Sequence, residues 1–467
     1  MTFLELLNQL NNVLWGYFLI AVLVGCGLWF TWRMRFVQFR MLPEMLRLLT
    51  DSSLKPRGSV RHISSFQAFA VSLASRVGTG NLAGVATAIA VGGPGAVFWM
   101  WVMALFGAAT AFVESTLGQL YKQPHRDSFI GGPAYYIQRG LHCRWMAILF
   151  AVLITLTFGL ANNSVQANTI CGAVQGAFGW SPSAVGVVMV LMTLLIVFGG
   201  IQRIARVSSI LVPVMAVSYF VLAVVIILMN IQQVPHVLRV IVQSAFGLEP
   251  VVGGTLGAAI MNGVKRGLFS NEAGEGSAPN AAATAAVSHP VKQGLIQSLG
   301  VFTDTLLVCS CTAFIILISG LYTVPELNGI QLTQQALESE VGSWGPLFVA
   351  VAIFLFAYSS IIGNYYYGEA NLRFMTDSPA ALTAYRLLSG GVMVMLGALL
   401  SLDMVWSIID FCMALLTTCN LVAIILLGKY AFRLLDDYRR QQRQGVKDPT
   451  FRRQQLPEVA DQLACWD

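Results

Sequence analysis

The sequence predicts an all-α polytopic membrane protein with about eleven transmembrane helices, two of them discontinuous. Three observations carry that prediction. Of 467 residues, 56% are hydrophobic and only 11% charged, against roughly 25% charged in soluble domains. Apolar runs recur along the whole chain, at the length of about 20 residues that a span requires. Two of these runs are interrupted by glycines and polar residues, ASRVGTGNLAG at 74–84 and GLFSNEAGEGSAPNAAATA at 267–285.

The first run, 12–32, has neither a basic leader nor a small-residue cleavage site, so residues 1–32 read as a transmembrane anchor and not a cleaved signal. Residues 33–65 form a basic connecting segment. Runs at 66–91, 95–121, 145–170, 184–201 and 208–230 make a first set of five spans, residues 66–230. A loop, 231–251, leads to a second set within 252–432, with runs at 252–287, 292–320, 344–368, 381–402 and 404–432. Between the second and third of these, the acidic loop 321–343 suits a short helix. The tail, 433–467, is basic, and reads as a solvated helix held near anionic lipid. An odd number of spans per set makes the two sets enter from opposite sides. The interrupted run stands first in each, so the pattern is a 5+5 inverted repeat with one extra N-terminal helix.

Orientation follows from the loops. Of 28 lysines and arginines, Arg239 alone falls in a loop on one side, and Arg76, Lys265 and Arg266 fall inside spans. The rest lie in loops or tail on the other side. That alternation predicts a multi-pass membrane protein with its N-terminus outside and its C-terminus in the cytoplasm.

Several functions are disfavoured. The eight cysteines lie mostly in apolar runs, and Cys309 and Cys311 form CxC, not CxxC. The five histidines are scattered outside the apolar cores. Neither a phosphate loop nor a nucleophile elbow occurs, so nothing supports an ATP-driven pump or an enzyme. A channel would favour a continuous polar stripe through several spans. The sequence suggests no nucleic-acid contact and no obligate protein partner; the lipid bilayer is its surrounding.

The interruptions carry the chemistry. Glycine costs a helix interior about 1 kcal/mol relative to alanine, and hydrocarbon cannot solvate freed peptide groups, so a break is tolerated only beside a protein cavity. Amides freed at a half-helix N-terminus attract anions, and carbonyls freed at a C-terminus attract cations. Paired breaks therefore suit a small zwitterion bound with a cation. Arg76 is expected to be paired by Glu114 or Asp304, and Glu272 and Glu275 lie in the second break. Arg76, Glu114, Glu272 and Asp304 read as structural ion pairs. Gln166 reads as a site residue, with Asn162 and Asn163 a polar helix end. Ser359, Ser360 and Asn364 stand about one turn apart, as hard oxygen ligands or as hydroxyls bonded to the preceding turn.

The stretch GGPGAVFWMWVMALFG at 92–107, with SRVGTGNLAGVA and RGLFSNEAGEGSAPNAAA, resembles the bacterial alanine or glycine:cation symporters, the sodium:alanine symporter family. The likeness covers roughly residues 10–430. It implies the LeuT-type inverted-repeat fold with an added N-terminal helix, and sodium-coupled uptake of alanine, glycine or serine; the alternative is a proton-coupled amino-acid symporter. It further implies a bacterial cytoplasmic membrane, and that the amides of Thr79, Gly80 and Asn81 receive the substrate carboxylate and carbonyls near Phe269 and Ser270 its ammonium, with Gly78 and Asn271 beside them as substrate-binding residues together with Gln166. The carbonyls of Ala74 and Val77 would join the hydroxyls of Ser359 and Ser360 around sodium. Arg76 departs from the wider fold, where that position is usually small.

Overall fold

The computed structural model describes residues 2–50, 63–125, 128–248 and 255–466. Lys55, Arg57, Arg61 and Arg126, counted above among the basic loop residues, lie outside them, as do parts of the 33–65 and 231–251 segments and the start of the run at 252–287. Among the described residues, eight helices are long and apolar enough to cross a membrane. The chain runs through α1 (Phe3–Arg33), α2 (Ser65–Arg76), α3 (Gly80–Gly92), α4 (Gly95–Leu120), α5 (Arg144–Phe178), α6 (Pro182–Val197) and α7 (Gly200–Met229). It continues through α8 (Leu256–Asn271), α9 (Ala278–Ala283), α10 (Pro290–Ser319), α11 (Gly345–Met375), α12 (Pro379–Leu399) and α13 (Leu402–Arg443). The two interrupted runs are the pairs α2/α3 and α8/α9, each too short in its pieces to span alone.

Local chemistry fixes the helix starts. Ser64 and Gln67 form a reciprocal capping box ahead of α2. Thr255, Ser378 and Ser401 cap α8, α12 and α13 with their hydroxyls. The acidic loop does contain a helix, Gly329–Val341, capped by Asn328.

Packing centres on the second broken helix. A Cβ on Gly263 of α8 would lie 2.5 Å from the Ala96 carbonyl oxygen, and one on Gly107 of α4 would lie 2.9 Å from the Ala273 Cβ. Small residues thus let α4 lie against α8 and the break that follows it, which gives the glycine-rich 92–107 stretch its structural work. Helix α1 packs on α13: Asn11 Nδ2 donates to the Ser407 carbonyl at 2.9 Å, and Trp15 Nε1 to the Asp410 carbonyl at 3.0 Å.

The tail departs from the expected solvated helix. Helix α13 runs to Arg443, and the chain then folds back, burying Phe451, Leu456, Val459, Leu463 and Trp466. Trp466 Nε1 donates to the carbonyls of Leu120 and Gln119 at 3.1 and 3.3 Å, and the Phe451 N–H donates to the Ser288 carbonyl at 2.9 Å. Five spaced apolar residues gave this strip a buried face that its arginines and glutamines concealed.

Candidate functional site

The first break begins where Val77 leaves the helix for an extended conformation, φ −76° and ψ 91°. The amides after it turn to side chains: the Gly78 N–H donates to Asn81 Oδ1 at 2.8 Å, and the Thr79 N–H to Gln166 Oε1 at 2.9 Å. Gln166 is steadied by Asn162, whose Oδ1 accepts from its Nε2 at 2.8 Å. The carbonyls left behind face α11. Ser360 Oγ lies 2.9 Å from the Ala74 carbonyl and 3.4 Å from that of Val77, and Ser359 Oγ lies 3.4 Å from Ala74. Four neutral, buried oxygens therefore lie together, Ser360 reaching both carbonyls and Ser359 that of Ala74, oxygens of the type a hard monovalent cation takes at an unwound helix. No room remains for a side chain at Gly78, where a Cβ would stand 2.2 Å from Ser360 Oγ and 2.7 Å from Gln166 Oε1.

The second break turns at Glu272, which adopts the left-handed φ of 57°, and at Gly274 and Gly276, with φ of 95° and 80°. Glu114 of α4 receives the exposed amides: its carboxylate accepts from the Gly274 and Gly276 N–H groups at 3.2 and 3.1 Å and from Asn420 Nδ2 at 2.9 Å. A carboxylate among backbone donors at a half-helix start is favourable there. Glu272 ties the two breaks together, accepting from Ser277 Oγ on its own break and from Ser75 Oγ of α2 at 2.6 Å. Asn364 Oδ1 also stands 2.6 Å from Ser75 Oγ. A hydroxyl has one proton to give, so Ser75 Oγ shares it between the Glu272 carboxylate and the Asn364 amide oxygen.

Asp304 of α10 makes the second tie. It accepts from Asn81 Nδ2 on the first break at 2.7 Å, from Ser270 Oγ at the second at 2.7 Å and from Thr305 Oγ at 2.9 Å. Phe269 and Ser270 approach the first break so closely that a Cβ on Gly80 would meet both at about 3.1 Å. Asn81, Gly80, Phe269, Ser270 and Asp304 are thus brought together. Asn271 is not: its side chain accepts from the Ala273 N–H at 3.0 Å, capping its own break on the side of α4.

Arg76 corrects the expected ion-pair set. Its Nη1 donates to the Gln297 carbonyl at 3.0 Å, Nε and Nη2 have no hydrogen-bond partner, and among the described residues no carboxylate lies within 4.0 Å of it. Glu114, Glu272 and Asp304 are already engaged by neutral donors, and the guanidinium leans on Gly300 of α10.

Two residues that sequence reasoning missed are Asp410 and Trp406 of α13. Asp410 binds Arg266 at 2.7 Å and Lys265 at 3.1 Å, and the Arg266 guanidinium lies 4.0 Å from the centre of the Trp406 ring. Trp406 in turn packs edge-on against Phe269, with ring centres 4.7 Å apart. A lone aspartate in the apolar run 404–432 was the available signal.

The family model of the sodium:alanine symporter family matches residues 1–453. The amino-acid carrier protein AlsT of Bacillus subtilis (strain 168) is 52% identical over 97% of this chain and 96% of its own length. The probable sodium/glutamine symporter GlnT of the same organism is 50% identical, over 98% and 94%. Among solved structures, MhsT in complex with L-phenylalanine superposes with a TM-score of 0.52 at 14% identity, covering 86% of this chain and 93% of that one. That likeness concerns the fold alone.

Proposed function

The chain belongs to the sodium:alanine symporter family and is a multi-pass, sodium-coupled amino-acid symporter, and from that premise we propose how its two breaks divide the work. The cation takes the carbonyls of Ala74 and Val77 and the hydroxyls of Ser359 and Ser360. The amino acid lies beside it between Gly78–Asn81 and Phe269–Ser270, its carboxylate toward the first break and its ammonium toward the carbonyls near Phe269 and Ser270. Gln166 Oε1 already takes the Thr79 amide proton, so the carboxylate displaces it to use that amide.

The observation that carries the proposal is the convergence of the Ala74 and Val77 carbonyls with Ser359 and Ser360 one helical turn from Gly78 and Asn81. A zwitterion leaves water only where donors and acceptors replace it. Sodium placed next to the carboxylate adds attraction that neither ligand has alone, so each raises the affinity for the other by the same factor. The crowding around Gly78 and Gly80, together with the Phe269–Trp406 pair, favours a small neutral substrate: alanine, glycine or serine. We place the basic loops in the cytoplasm, so that transport down the sodium gradient runs inward.

Counterflow in proteoliposomes tests this reading. Labelled alanine should accumulate when sodium is the only gradient and should fail to accumulate with a proton gradient alone. Competition by glycine and serine, weaker competition by glutamine and none by phenylalanine is the expected order. Preference for glutamine would overturn the small-substrate assignment.

A further inference from the structure

The end of α1 and the outgoing part of α13 enclose a pocket of about 250 Å³ that the transport site does not use. Arg33, Arg35, Lys429, Arg433 and Arg439 line it, with Asp436 as its one acid and Phe432 as an apolar wall. Among the described residues the positive charge there is poorly compensated. Arg433 reaches outward to Glu458. Arg35, Arg40 and Arg443 act on Arg439 with like charge, and Asp436 opposes them. The turn that follows α1 is held in shape by left-handed backbone at Arg35 and Phe36, φ 53° and 59°, and by Arg40 Nη1 donating to the Arg35 carbonyl at 3.1 Å. Basic groups drawn together by a fixed turn make an anion site that is assembled before its ligand arrives.

The surroundings of the pocket identify the anion's source. Trp29, Trp32, Phe36 and Phe39 are exposed around the same helix end, Trp32 at 73%. Aromatic rings at the end of an apolar span mark the level of the lipid headgroups. A soluble anion would not need that rim. We propose that this pocket binds the phosphate of an anionic phospholipid headgroup, with the arginines around the phosphodiester and the exposed aromatic rings against the glycerol and acyl region. A zwitterionic lipid brings its own cation into a site already crowded with positive charge and is disfavoured.

Delipidated full-length protein in a neutral detergent provides the test. Thermal unfolding is followed while short-chain phosphatidylglycerol, phosphatidylcholine of the same chain length, or inorganic phosphate is titrated in. Phosphatidylglycerol should stabilise saturably, with little response to the other two. The Arg35→Gln/Arg439→Gln variant should bind it about tenfold more weakly, whereas Arg452→Gln/Arg453→Gln, which removes as much charge from the tail, should change affinity less than about twofold. Should the first variant fail to elute as a single species, the exposed Arg33→Gln is read in the same titration, with a loss of about threefold expected. Equal stabilisation by inorganic phosphate would make this a free-anion site, equal stabilisation by phosphatidylcholine a nonspecific lipid surface, and equal loss in the pocket and tail variants a diffuse charge effect. Each of these three results overturns the proposal.

Discussion

Asn81 Nδ2 and Asp304 Oδ1 stand 2.7 Å apart, and the same carboxylate takes Ser270 Oγ at 2.7 Å, so one side chain of α10 holds both broken helices. Hydrogen bonds to a charged group are worth roughly 1.5–3 kcal/mol each. Asp304→Asn keeps the shape but presents an N–H₂ group to donors that need an acceptor. Sodium-driven uptake should fall at least about tenfold, with membrane insertion unchanged. Uptake and expression measured side by side check this; wild-type uptake in the variant would remove Asp304 from the site.

Gly78 and Gly84 form a matched pair. At Gly78 an added methyl collides with Ser360 Oγ and Gln166 Oε1, and neither can retreat without releasing the Ala74 carbonyl or the Thr79 amide. At Gly84 the nearest atoms stand 3.7 and 3.8 Å away. Gly78→Ala should abolish uptake while Gly84→Ala retains most of it. Similar activity in both would mean that the first break rearranges freely.

The two serines of α11 should differ in weight. Ser360 Oγ reaches both carbonyls, whereas Ser359 Oγ bonds more closely to its own helix, 2.8 Å from the Phe356 carbonyl, than to Ala74 at 3.4 Å. Ser360→Ala should raise the sodium concentration for half-maximal uptake by about tenfold, and Ser359→Ala by about threefold. Asn81→Ala, which frees the Gly78 amide and one arm of Asp304, should weaken sodium activation and substrate affinity together. Sodium titrations of alanine uptake measure all three, and unchanged activation throughout would remove the cation assignment.

What the sequence could reveal followed from chemistry that is local along the chain. Glycines and polar residues inside an apolar run mark a break wherever the chain later folds, so both breaks and Gln166 were visible. The Asp410–Arg266–Trp406–Phe269 series was not, because its members come from helices more than a hundred residues apart and each alone looks like an ordinary interior residue. Arg76 misled for a related reason. A buried cation predicts a partner, but Glu114, Glu272 and Asp304 had satisfied their oxygens with backbone amides, serines and Asn81, which composition does not reveal. In the tail, charge outweighed five apolar positions whose buried face exists only once Ser288, Gln119 and Leu120 stand opposite.

His289 makes this tail contact sensitive to pH. Its ring is fully buried at the start of α10, with Nδ1 accepting from the Val291 N–H at 3.2 Å and Nε2 3.3 Å from Asp437. The rings of Tyr438 and Phe451 cover it, and Lys292, paired with Asp448, stands close by. Burial pushes the imidazole below its usual value, and Asp437 opposes that without reversing it. A base whose folded pKa is depressed binds its proton more readily when unfolded, so acid favours unfolding. Stability is therefore unaffected by this group above about pH 6.5, the unfolded value, and falls as the pH drops from there toward the lower folded value. The melting temperature of the detergent-solubilised protein should decline across that window, and His289→Asn, which keeps a cap for Val291 but cannot titrate there, should flatten the decline. An equally steep decline in the variant would assign the effect to the neighbouring carboxylates.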